Sequence, residues 1–202
     1  EDLRGKRVGT RQGTAAHFFL HVYVTRHGMA DGDIATQFDS FENITAALIA
    51  GELDAVSLRQ PFIAQLESAL GDDFVIFEEE GLYGKTMNLC VPVDGESIDS
   101  DTQQRFIRAF ILAEEVGVAD TSGRIKGQVA DDIGIESDDI CSCIITSGAV
   151  TLQQSLVLNL EDQVRWAMDS QLVTSDTAPD MLSFIDTAPL DAVDPDRVTL
   201  IR

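Results

Sequence analysis

The run Lys6-Arg7-Val8-Gly9-Thr10 leads through Arg11-Gln12-Gly13 to Thr14, and then into Ala15-Ala16-His17-Phe18-Phe19-Leu20, with no Pro or Gly before Gly28. A short β-type run, a glycine turn, a hydroxyl residue and a long helical run in that order predict a strand feeding directly into an N-capped helix. The first backbone N–H groups of such a helix have no intrahelical acceptor and point the same way. With the helix dipole behind them they suit a carboxylate, sulfonate or phosphate. The same segment would also serve as an ordinary βα loop closed by a threonine cap.

The pattern continues through the first ninety residues. Val8–Thr10, Ile34–Phe38, Leu53–Leu58 and Phe74–Phe77 read as strands. Ala15–His27, Glu42–Ala50 and Pro61–Leu70 read as helices, the last with Pro at its first turn and Gly71 after its end. Strands alternating with helices predict an α/β protein with a mostly parallel sheet flanked by helices. Ligands collect outside the carboxyl ends of such strands. Arg11 and Thr14 follow the first strand, and Arg59 and Gln60 follow the third, so the four are expected on one rim. An Arg fork beside a helix N-terminus favours an acidic ligand.

Beyond residue 90 the pattern changes. Thr86–Val93 reads as an extended crossing segment, Thr102–Val116 as an amphipathic helix, and Lys126–Ile133 and Asp138–Ile145 as shorter helices. Leu152–Leu158 is expected to be a strand and Leu160–Leu172 a helix carrying the only Trp, Trp166. The tail from Thr174 reads as irregular, with a small helix near Pro179–Ile185.

Charge narrows the partners. Thirty-five acidic residues against 14 basic ones give a net charge of −21. Such a field repels nucleic acid and anionic lipid surfaces. It fits either a protein working in high salt or plain acidic solubility. No run reaches the roughly 18 apolar residues of a membrane span. Cys90, Cys141 and Cys143 are too few for a disulfide framework and lack zinc or redox spacing, so buried thiols are expected.

Motifs of catalysis are missing: there is no G-x-S-x-G, no Walker loop and no G-x-G-x-x-G. His17 and His21 have the spacing of a metal-binding helix face, but Phe18 stands where a zincin needs Glu, and no metal site is assigned. Glu78-Glu79-Glu80 reads as a solvated loop face. No cofactor is expected.

Three segments carry a family likeness: Asp2-Leu3-Arg4-Gly5-Lys6-Arg7-Val8-Gly9, then Gly13-Thr14-Ala15-Ala16-His17, then Ala47-Leu48-Ile49-Ala50-Gly51-Glu52-Leu53-Asp54-Ala55. With the closing stretch Phe184-Ile185-Asp186-Thr187 through Leu190, Val193-Asp194-Pro195 and Val198-Thr199-Leu200-Ile201, the chain resembles the substrate-binding proteins of ABC importers for aliphatic sulfonates, taurine, nitrate and thiamine precursors. The resemblance implies a periplasmic binding protein-like fold of two α/β lobes joined by a hinge. Residues 5–85 would form a complete lobe two with the anion-binding turn. Residues 86–202 would form the later half of lobe one, with a hinge strand near Tyr83–Val93.

It further implies non-catalytic capture of a small solute in the inter-lobe cleft, delivery to a membrane permease, and a periplasmic or extracellular, membrane-associated location. A ligand-sensing module of a larger signalling protein is the alternative, and an enzyme making a pyrimidine precursor a third. The expected ligand-binding residues are Arg11, Gln12, Gly13, Thr14, Ala15, His17, Arg59, Gln60 and Tyr83. Many family members carry Trp-Glu-Pro where this chain has Arg59-Gln60-Pro61, which argues against a ligand amine and for more negative charge on the ligand. Because family members build half of lobe one before the counterpart of Asp2-Leu3-Arg4-Gly5, the chain is expected to be a piece of a longer protein or to complete itself with a partner copy. An isolated half-lobe is expected to pack poorly or to associate.

Overall fold

The computed structural model describes residues 2–77, 79, 81–92, 98–133 and 148–201. They fall into two compact units. The first comprises Glu1–Lys85 and Trp166–Thr174, and the second Thr86–Arg165 and Ser175–Arg202.

The first unit is α/β. Strands β1 (Arg7–Thr10), β2 (Ala35–Phe38) and β3 (Ala55–Val56) form a parallel sheet in the order β2-β1-β3. Val8 faces Thr36 on one side and Ala55 on the other, so β1 is the central strand. Helices α1 (Ala15–Arg26) and α2 (Phe41–Ile49) make the connections, and α3 (Phe62–Leu70) follows β3. Thr14 caps α1, and Ser40 caps α2 by accepting from the Asn43 N–H at 3.2 Å. The Arg7 side chain donates through Nε and Nη2 to the two Asp54 carboxylate oxygens at 3.0 and 2.9 Å, tying the start of β1 to the approach of β3.

Two apolar clusters hold this unit together. Val8, Leu20, Val24, Met29 and Ile34 form one, and Ala16, Phe41, Ile44, Leu53 and Phe62 the other. The side chains at 16, 20 and 24 recur at helical spacing, which is why one stripe of α1 is buried. Gly9 sits where Ile44 and Leu53 press against the sheet, and a Cβ there would lie 2.6 Å from Leu53 Cδ1 and 3.2 Å from Ile44 Cβ. Glycine is what lets α2 and the β3 approach close on the central strand.

Two expected strands of this unit differ in the structure. β3 spans only Ala55–Val56, although the Ser57 N–H still donates to the Gly9 carbonyl at 2.8 Å. Phe74–Phe77 forms no strand, and Val75 and Phe77 are exposed. An aromatic and β-branched run becomes a strand only where a neighbour offers its edge, and among the described residues none pairs with this one.

The second unit is helical among its described residues: α4 (Ser100–Ala119), α5 (Arg124–Ile133), most of α6 (Gln154–Asp169) and α7 (Ala188–Asp191). Asp99 caps α4 by accepting from the N–H and the hydroxyl of Thr102. Leu152–Leu158, expected as a strand, contributes a single parallel bridge from Leu152 to Val198 and turns helical at Gln154. Short apolar runs do not distinguish strand from helix by periodicity, and here the buried Val157 belongs to a helical stripe. Thr86–Pro92 carries no regular structure, and its side chains, Cys90 among them, are exposed instead of buried. Phe106, Phe110, Leu112 and Val118 of α4 are likewise exposed, as are Met87 and Leu89. The expected helix at Asp138–Ile145, with Cys141 and Cys143, lies outside the described residues, as do Val93, Glu78 and Glu80. Among the described residues no helix is long and apolar enough to cross a membrane.

Candidate functional site

Because the three strands are parallel, their carboxyl ends share one rim, and the chain leaves it at Arg11, Asp39 and Ser57. Buried hydroxyls fix the geometry beneath. Thr10 Oγ1 donates to the Ser57 carbonyl at 3.3 Å, and Ser57 Oγ donates to the Ala16 carbonyl at 2.8 Å. Thr10 and Ser57 therefore join the ends of β1 and β3 to the first turn of α1.

Above this layer lies Phe41, the first residue of α2, buried and packed 5.5 Å from the Phe62 ring. The guanidinium carbon of Arg59 lies 5.2 Å from the centre of the Phe41 ring, and that of Arg11 lies 5.8 Å from it. The ring's quadrupole attracts both cations and lets two like charges converge. Among the described residues neither Arg has a carboxylate within ion-pair distance, although most of the acidic residues of the chain are described. The carboxylate on the rim, Asp39, accepts from the Ser40 N–H at 2.7 Å and the Asn43 side chain at 2.9 Å, and these bonds hold its pKa below the ordinary range.

The turn before α1 is closed by its own side chains. Thr14 Oγ1 donates to the Arg11 carbonyl at 2.7 Å and accepts from the His17 N–H at 3.4 Å. Gly13, in the left-handed region at φ +68°, donates its N–H to His17 Nδ1 at 3.3 Å. Ala15 and Ala16, the first two helical residues, keep N–H groups that the helix itself cannot satisfy.

The structure thus brings Arg11 and Arg59 together on Phe41, and sets Gly13, Thr14, Ala15 and His17 around the adjoining helix N-terminus. Gln60, half-buried, uses its Oε1 to accept from the Ala64 N–H in the first turn of α3 at 3.2 Å. Tyr83 joins neither group; its ring packs edge-on against Phe18 at 5.3 Å, where burial raises its pKa. Gln12 lines two surface cavities. One, about 430 Å³, is walled by His17, His21, Asp31, Phe38 and Asp169; the other, about 560 Å³, by Gly13, Trp166, Gln171 and Leu172.

Thr10, Phe41 and Ser57 are absent from the sequence-derived set. Ser57 stands out as a polar residue between the apolar Val56 and Leu58; Thr10, between Gly9 and Arg11, carries no such signal, and nothing near Phe41 marks it as the floor of a site 18 residues from Arg59. The paired histidines act separately: His21 Nδ1 meets Asp31 at 2.8 Å, and His17 serves the turn. Among the described residues no group of three or more His, Cys, Asp or Glu side chains is placed to hold a metal ion. Glu79 is not simply solvated, since it accepts from His27 Nε2 at 3.0 Å.

The parallel sheet flanked by helices belongs to a periplasmic binding protein-like fold, which this chain shares with solved structures. One is the periplasmic aliphatic sulphonate binding protein SsuA from Escherichia coli, with a TM-score of 0.63 and 16% identity over 92% of this chain and 64% of that one. Another is the alkanesulfonate-binding protein SsuA from Xanthomonas axonopodis pv. citri bound to MOPS, with a TM-score of 0.57 and 17% identity over 86% of this chain and 61% of that one. The chain therefore spans less than two thirds of the length of these structures. No protein-family model and no curated protein sequence matches it.

Proposed function

We propose that the chain is part of a non-catalytic solute-binding protein that captures a small organic anion for ABC-type import. One observation carries the reading: Arg11 and Arg59, unpaired with any described carboxylate, converge on Phe41 beside the N-terminus of α1. In a chain of net charge −21, two guanidinium groups held together with no acidic partner among the described residues form a local positive site. An anion entering it would gain charge-assisted bonds from both forks and from the Ala15 and Ala16 N–H groups. Several donors must converge, because one would not offset the cost of desolvating a charge. The solved structures of the same fold are sulfonate-binding proteins, which supports a sulfonate-like head group.

The proposal includes residues 5–85 as a complete lobe two and residues 86–202 as the later half of lobe one, with the ligand held in the cleft between lobes and a membrane permease as partner. Periplasmic or extracellular placement belongs to the same reading. Isothermal calorimetry with ethanesulfonate, MOPS and inorganic sulfate tests it. Saturable one-site binding to at least one, lost in the Arg11→Ala/Arg59→Ala double variant, supports the reading. Binding to none of them, or full binding by the double variant, overturns it.

A further inference from the structure

The common reciprocal cap of a helix N-terminus pairs a Ser or Thr at the cap with Glu or Gln three residues later. Here Thr14 Oγ1 accepts from the His17 N–H at 3.4 Å, and His17 answers by accepting the Gly13 N–H on Nδ1 at 3.3 Å, one residue before the cap. Histidine thus stands where a carboxylate or carboxamide usually does. The ring is held in place from outside the turn by two edge-on contacts, Phe38 and Trp166, each with centroids 4.8 Å away.

We propose that His17 is a positioning residue for the anion site: its neutral imidazole closes the Gly13 turn as a glutamate would, without placing a negative charge beside the donors that receive the ligand. The charge argument rests on the function proposed above; the hydrogen bond does not. For Nδ1 to accept, the proton must sit on Nε2, so the ring is the neutral Nε2–H tautomer. Its surroundings keep it so. Burial lowers the His17 pKa, and neighbouring His21 adds to this, while Asp31 works against both. Asp169 also borders the cavity that His17 lines, whereas the sheet contributes only Thr36 and Phe38 there. A glutamate at 17 would keep the bond and put a full charge in the first turn of α1, close to Ala15 and Ala16. Protonation of His17 would remove the acceptor and release Gly13, a response that Gln, which does not titrate, does not share.

The experiment uses the full chain and two readouts. NMR follows the His17 ring nitrogens and the Gly13 amide, with exchange normalised to its intrinsic rate, from about pH 8 to about pH 4.5, a range that brackets the ordinary imidazole pKa. Calorimetry with ethanesulfonate compares His17→Gln and His17→Glu. The expected result is an Nε2–H tautomer at the upper end, and Gly13 protection that falls about five- to tenfold, the size of one hydrogen bond, with the imidazole's own midpoint. His17→Gln should restore that protection at every pH, and His17→Leu should lack it throughout. His17→Glu should bind ethanesulfonate at least about tenfold more weakly than His17→Gln, from the added like charge.

Gly13 protection that ignores the ionisation of His17 overturns the proposal, as does an Nδ1–H tautomer. Equal ethanesulfonate affinity of the Glu and Gln variants overturns its charge argument. If the wild-type chain binds no anion, the function proposed above fails, and the Gly13 and tautomer measurements still decide whether His17 closes the turn.

Discussion

Arg11 and Arg59 share one aromatic floor, their guanidinium carbons 5.8 and 5.2 Å from the centre of the Phe41 ring. The relationship ties an exit from the central strand to an exit from its neighbour, and it makes the two cations interdependent. Arg59→Ala is expected to weaken ethanesulfonate binding by at least about 2 kcal/mol, the scale of a charge-assisted pair losing one member. Phe41→Leu should weaken it less, by roughly 1 kcal/mol, because the charges remain while the cation–π support is lost. Calorimetry on both variants checks the order; an Arg59→Ala protein with unchanged affinity removes Arg59 from the site.

Ser57 supports the rim without facing a ligand. Its hydroxyl donates from a buried position to the Ala16 carbonyl, which also accepts the helical bond of α1, so Ser57→Ala removes a second bond that ties β3 to the helix. A loss of about 1 kcal/mol in urea denaturation is expected. A Ser57→Ala chain as stable as wild type would mean that water or a relaxed backbone replaces the bond.

Gly9→Ala tests the packing of the central strand. The new methyl would meet Ile44 Cβ at 3.2 Å as well as the more yielding Leu53 Cδ1 at 2.6 Å. Leu53 can turn aside, but Ile44 Cβ is fixed to α2, so a cost of about 1–3 kcal/mol from overpacking is expected. A thermal midpoint equal to wild type would show that α2 shifts freely.

The second unit has its own ionic anchor. Arg197 donates through Nη1 to both Glu114 oxygens at 3.1 and 2.9 Å and through Nε to Asp194 at 2.9 Å, while Glu114 also accepts from the Val150 N–H at 2.8 Å. The Val150 bond, and then Arg197, hold the Glu114 pKa below its ordinary value of 4.5. A carboxylate depressed in the folded state stabilises fully above its unfolded pKa, and that contribution fades as pH falls through the lower folded value. Wild type should therefore lose stability on acidification from about pH 5 downward, and Glu114→Gln should show a shallower loss over that range. Identical acid profiles for the two proteins would remove Glu114 as a contributor. Arg197→Met, which leaves Glu114 without its cation, should cost about 2 kcal/mol near neutral pH.

Much of the first unit was legible residue by residue. Gly13, Thr14 and the apolar spacing of α1 identify a strand, turn and capped helix, since every group that decides that local geometry lies within a few positions. The register in which β1, β2 and β3 pair carried Arg11 and Arg59 to the same rim, as parallel crossovers require. Phe74–Phe77 and Leu152–Leu158 depart from the strands expected of them for one reason. Their apolar content is clear, but a strand needs a partner edge, and a short run does not say whether one is present. Gln60 follows the third strand as expected, and its Oε1 accepts from the Ala64 N–H, a bond set by the side-chain rotamer and not by the spacing of residues.

What the sequence alone determined is the alternation of the first unit, its helix caps and the supply of cationic and amide donors at two strand ends. Backbone hydrogen bonding and capping are local, so they can be read locally. Only the tertiary structure decided that Phe41 lies beneath both arginines, that Ser57 reaches the Ala16 carbonyl, and that His17 turns to Gly13 between Phe38 and Trp166. Apart from the local Gly13–His17 bond, whose ring is set by Phe38 and Trp166, those contacts join residues separated by whole helices, and they exist because a close-packed interior leaves each side chain few places to go.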